Sequence, residues 1–162
     1  MKRLNLIEQK LAKLDWATTP VFVINGLKRE ELIAGGSMIL HEVYFDSLGT
    51  SAAPAHLVSQ LDHDFGGLEK WATQFAAMGK ALAGGSGWVL LAWSARDRWV
   101  VNTWAADHAH NLAGATPILA LDMYEHSYHM DYGAKAAAYV DAVMNNINLE
   151  SAGRKLAALQ GA

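Results

Sequence analysis

The sequence predicts an α+β fold: an N-terminal pair of helices, then a small three-stranded antiparallel sheet flanked by further helices. Three observations carry this expectation. Apolar residues recur at helical spacing through the first half of the chain, two aromatic-rich runs of strand type are joined by a short polar turn, and helical spacing returns after residue 122. A chain of 162 residues is long enough to bury a core of its own.

Leu4, Ile7, Leu11 and Leu14 form one stripe and predict a helix over residues 4–15 that begins almost at Met1. Residues 16–27, with Pro20 and Gly26, read as a connection containing a short extended piece. Residues 28–48 predict a long helix in spite of Gly35 and Gly36. At a cost of about 1 kcal/mol each in a helix interior, these two imply close backbone packing. After a polar connection, Leu68, Trp71, Phe75, Met78 and Leu82 mark another helix, which GGSG at 84–87 stops. WVLLAW (88–93) and WVVNTW (99–104), joined by SARDR, form a hairpin signal. ILALD (118–122), behind Pro117, is a third strand whose aliphatic character suits the centre of the sheet. From Met123 the chain turns helical, breaks near Gly133, and resumes with Tyr139, Val143 and Ile147 on one stripe. The tail after Asn148 adds a helical turn or two with a frayed end. The chain thus divides into a helical part, 1–83, and an α/β part, 84–162.

Composition narrows the function classes. The chain has no cysteine, which excludes disulfides, thiolate metal sites and cysteine nucleophiles. Any metal must bind through His, Asp or Glu. A formal charge of −3 gives no basic footprint for nucleic acid. The polar interruptions in the first residues leave no signal-peptide core, and no apolar run reaches the roughly 18 residues a membrane helix needs. The expectation is a soluble, cytoplasmic protein.

The chemistry concentrates in LDMYEHSYHMDY (121–132), where Asp122 closes a strand and His126 follows one helical turn later. The pair reads either as half of a metal site or as a helix N-cap beside a satisfied core histidine. His41 lies in the apolar stretch MILHEVYF, so its ring needs a hydrogen-bond partner or a metal.

DMYEHSYHMDYGAKAAAYVDAVMNNIN resembles the C-terminal signature of the iron/manganese superoxide dismutases, a D-x-W-E-H-A-Y element followed by a Y-x-x-Y-V-type helix. GGSMILHEVYFDSL is similar to that family's second-helix element around a ligand histidine, and GGSGWVLL to its G-S-G-W-x-x-L stretch. The resemblance covers about residues 30–149 and looks closest to the branch associated with chromate-resistance gene clusters. It implies superoxide disproportionation at one iron or manganese ion per subunit, with His41, Asp122 and His126 as ligands. It also implies a homodimer in which Glu125 reaches the partner's ligand histidine. Tyr124 and Phe45 stand where the family has tryptophans around the metal, and His129 where a tyrosine reaches across the dimer. The usual solvent-bonding glutamine is replaced by a histidine of WAADHAHNL, His108 in preference to His110.

One part of the family pattern is not found. A first ligand histidine from an H-x-x-x-H-x-x-Y-V helix has no counterpart before His41, and the opening residues look like that helix's tail. The resemblance therefore implies an N-terminally truncated chain, with the missing histidine about two helical turns upstream of Met1. Two alternatives accompany this reading: a two-histidine, one-carboxylate non-haem iron protein, and an inactive structural remnant that keeps the fold and dimer surface.

Overall fold

The computed structural model describes residues 2–161; the expected boundary at Met1 lies outside them. The helices are α1 (Lys2–Leu11), α2 (Val21–Asp46), α3 (Ala55–Phe65), α4 (Leu68–Ala81), α5 (His129–Tyr132), α6 (Ala136–Asn145) and α7 (Leu149–Gln160), with a short 3-10 helix at Glu125–Ser127. The strands are β1 (Trp88–Ser94), β2 (Trp99–Ala105) and β3 (Ala115–Asp122). They form one antiparallel sheet in the order β2-β1-β3. The α+β class expected from the sequence is what the chain adopts.

Strand periodicity sorts the core into two layers, because successive side chains point to opposite faces. Trp88 and Leu90 of β1 join Ala105 and Ala120 against Leu40, Val43 and Tyr44 of α2. Val89, Leu91 and Trp93 face the other way, into the larger core built with α3, α4, α6 and α7. Every residue of β1 is buried as a result. Helix α1 closes the first layer from outside: Ile7 and Leu11 are buried, and Arg3 pairs with Glu30 of α2.

Four expectations need correction. The extended piece expected within 16–27 is absent, because α2 begins directly after Pro20 and takes in Val21–Leu27. Proline is compatible with a helix start, where its missing N–H costs no intrahelical bond. The polar connection before α4 holds a whole helix, α3, whose Leu57 and Leu61 are fully buried and which ends at Gly66 in the left-handed conformation. The sheet's centre is β1, not β3, which lies at an edge with Pro117 beside a register shift between Leu91 and Ala92. A proline in an edge strand gives up no needed ladder bond. The tail is a full helix. The Asn148 side chain accepts the Ser151 N–H at its start, and Ala152 and Leu156 sit in the main core.

Candidate metal centre

Sheet register decides what Asp122 meets. Ala120 faces α2, so Asp122, two residues on, faces it too, and it pairs in register with Trp88. Helix α2 crosses that face and carries His41 beside Leu40. The corner after β3 is tight: the Asp122 Oδ1 accepts the Tyr124 N–H at 2.9 Å, and the 3-10 helix then brings His126 back over the carboxylate. Asp122 therefore closes the turn with one of its oxygens, whereas the 3-10 helix that follows starts at Tyr124 with no side-chain cap, so the N-cap reading does not hold.

Its other oxygen is the centre of the site. Oδ2 lies 3.2 Å from His126 Nε2 and 3.6 Å from His41 Nε2, and the two Nε2 atoms are 3.5 Å apart. The three donor atoms fall within 4.8 Å of one another. Asp122 is 1% exposed, yet Oδ2 has no hydrogen-bond partner. An orphaned buried carboxylate oxygen is costly, and burial pushes the Asp122 pKa up against the opposing Tyr124 N–H and the two histidines. A cation between the three atoms would offset that cost.

His41 is prepared to accept one. His41 Nδ1 donates to the Ser37 carbonyl at 2.7 Å, which leaves the Nε2 lone pair facing Asp122 in the neutral ring. His41 is half-buried, whereas the His126 side chain is 59% exposed. A cleft of about 430 Å³ lined by Ser37, His41, Phe45 and His108 opens beside them and runs along α2 to Arg3.

An aromatic wall encloses the inner side. The Trp88 ring meets His41 edge-on at 5.0 Å, and Tyr124 stacks between His108 at 4.8 Å and His126 at 5.6 Å. Trp88 Nε1 donates to His108 Nδ1 at 3.0 Å, so neutral His108 carries its proton on Nε2. Burial, reinforced by His41, holds the His108 pKa below its usual value, and burial raises that of Tyr124. Gly36 makes this arrangement possible, because a Cβ there would collide with the His108 backbone carbonyl. Gly35, by contrast, faces open space. His110 lies away from the centre in an exposed pair with Asp107 at 2.7 Å.

The remaining predicted residues are peripheral to the donor atoms. Glu125 and His129 are exposed, and Phe45 is 64% exposed with its ring 6.3 Å from His41. Sequence reasoning overlooked Trp88 as a site residue, although its place opposite Asp122 follows from pairing the two strands at their ends. It also overlooked the Ser37 carbonyl, which no side-chain motif announces.

Two imidazoles and one carboxylate converging at a strand-to-helix corner define a candidate mononuclear site for a first-row transition metal. Residues 53–155 match the C-terminal domain of the iron/manganese superoxide dismutases. The chain is 65% identical over 159 residues to a protein of Cupriavidus metallidurans named superoxide dismutase (Fe), a match covering 98% of this chain and 81% of that one. It is 34% identical over 153 residues to the superoxide dismutase (Fe) of Aquifex pyrophilus, covering 89% and 70%. It is 36% identical over 112 residues to superoxide dismutase (Mn) 1 of Halobacterium salinarum, covering 67% and 54%. This chain belongs to the iron/manganese superoxide dismutase family.

Proposed function

We propose that the protein converts two superoxide ions and two protons to O2 and hydrogen peroxide at one iron or manganese ion per subunit, held by His41, Asp122 and His126. The observation that carries this reading is the orphaned Asp122 Oδ2 facing two imidazole Nε2 atoms in a chain of this family. The donor set is of the type iron and manganese accept. Either ion, bound there, supplies one-electron chemistry between its +3 and +2 states.

The chain's own groups supply the rest. Asp122 contributes negative charge from a dry position, and Ser37 orients His41. His108, with its proton on Nε2, is assigned to hydrogen-bond solvent and deliver protons in the pocket, and Trp88 keeps it in that tautomer. Tyr124 walls the pocket and excludes water between His108 and His126. The cleft beside His41 and Phe45 admits the substrate.

A homodimer belongs to this reading, with Glu125 hydrogen-bonding to His126 of a second copy and His129 bordering the same contact. The exposure of Glu125, His129, His126 and Met130, the last at 91%, supports it. The same reading includes a cytoplasmic location, in keeping with a chain free of cysteine, and the chromate-resistance branch, on the sequence likeness alone. No helix among the described residues is long and apolar enough to cross a membrane.

The test pairs metal content with a superoxide assay on protein grown with excess iron or manganese. His126→Ala should lose the metal and the activity. His56→Ala should keep both, because that ring bonds the Gly153 carbonyl at 2.9 Å on α7, away from the centre. Wild-type protein free of either metal, or equal retention in the two variants, would overturn the assignment.

A further inference from the structure

We propose that Tyr139 is a positioning residue of the metal centre, tying the strand corner that carries Asp122 to the helix that carries His41 through a buried relay of hydroxyls. The inference rests on the metal-site reading above and adds to it groups that touch none of the three donor atoms.

Tyr139 lies on α6, 4% exposed, and its hydroxyl donates to the backbone carbonyl of Asp122 at 2.8 Å. Ser127 Oγ donates to the same carbonyl at 2.9 Å and lies 2.7 Å from the Tyr124 carbonyl. A phenol has one proton, so with that of Tyr139 committed, the Tyr44 hydroxyl is the donor in the 3.0 Å contact between the two tyrosines. Tyr44 is 7% exposed and sits one helical turn beyond His41 on α2. Ser127 is the residue after His126. The relay thus joins the α2 segment that carries His41 to the corner that carries Asp122 and His126.

Packing alone does not account for these hydroxyls. A phenylalanine at either tyrosine position would fill the same space without a polar atom to satisfy, and a buried hydroxyl without a partner is costly. What the hydroxyls add is direction. Tyr128 stacks on Tyr139 at 5.2 Å and Tyr132 meets it at 5.9 Å, so the donor is itself held in place. Sub-ångström placement of Asp122 and His126 matters because metal affinity depends on the groups that orient the ligands.

The experiment loads wild type, Tyr139→Phe, Tyr44→Phe and Ser127→Ala with Mn2+ or iron. It measures affinity by chelator competition, the electron paramagnetic resonance line shape of the bound ion, and the melting temperature of the metal-free chain. Trp71→Phe is the control: it removes a buried N–H bonded to Asn102 Oδ1 at 3.0 Å on the far face of the sheet. Tyr139→Phe should bind metal about ten- to a hundredfold more weakly with an altered line shape, whereas Trp71→Phe should change the melting temperature alone. Wild-type affinity and line shape in Tyr139→Phe, or the same metal loss in Trp71→Phe, would overturn the inference. If Tyr139→Phe does not fold, Tyr44→Phe carries the same expectation and the same refutation. A wild type that binds no metal overturns the metal-site reading and this inference together; a wild type that binds while all three relay variants match it overturns this inference alone.

Discussion

Asp122 divides its work between two oxygens. One closes the turn after β3 by accepting the Tyr124 N–H, and the other is left buried and unpartnered beside two histidines. A sequence motif reveals the residue type but not this division between a turn bond and a free oxygen, and the helix N-cap it also suggests falls at Tyr124 instead. His41 is similar, since its need for a partner is legible in an apolar helix while the identity of that partner, the Ser37 carbonyl, is not. Gly36 adds a test at the same scale. A methyl group there would drive the α2 backbone and the His108 loop apart, so Gly36→Ala should cost about 1–3 kcal/mol despite alanine's better helix propensity. Urea unfolding checks this, and an unchanged or raised midpoint would show that the contact is not needed. Gly35→Ala, which meets open space, is the comparison.

At the level of elements, the strongly periodic segments were legible and the compact ones were not. The stripe of Leu68, Trp71 and Phe75 and the paired tryptophan-rich strands have few alternative readings. Helix α3 was hidden because its buried face rests on few residues, Leu57 and Leu61 foremost, with polar residues elsewhere. Helix α7 has alanine, glycine and a few leucines on its buried face, a pattern that reads as weak until its partners are known. Gly153 packs against Pro54 and His56 so closely that a Cβ would clash, and Leu156 is fully buried. Leu156→Ala should therefore destabilise the protein by about 2–5 kcal/mol. A loss below about 0.5 kcal/mol in thermal or urea unfolding would restore the frayed-tail reading.

For the molecule as a whole, the ligands come from two pieces far apart in sequence, α2 with His41 and the corner after β3 with Asp122 and His126, and the two-layer arrangement brings them to one end of the sheet. The exposure of His126 and Glu125 makes the assembly state the next question at this scale. The dimer reading predicts that the chain sediments as twice its mass and that Glu125→Ala shifts it toward monomer with weaker metal retention. A wild-type monomer at micromolar concentration would remove Glu125 from the site. By itself the sequence determined the α+β class, the hairpin, the long helix around His41 and the residue types able to bind a metal, because periodicity and donor chemistry are local properties. Only the tertiary structure decided that β1 is the central strand, that α3 and the tail are core helices, and that Trp88 and the tyrosine relay stand around Asp122. Those relations depend on strand register and on which faces meet, and neither is written in any one segment of the chain.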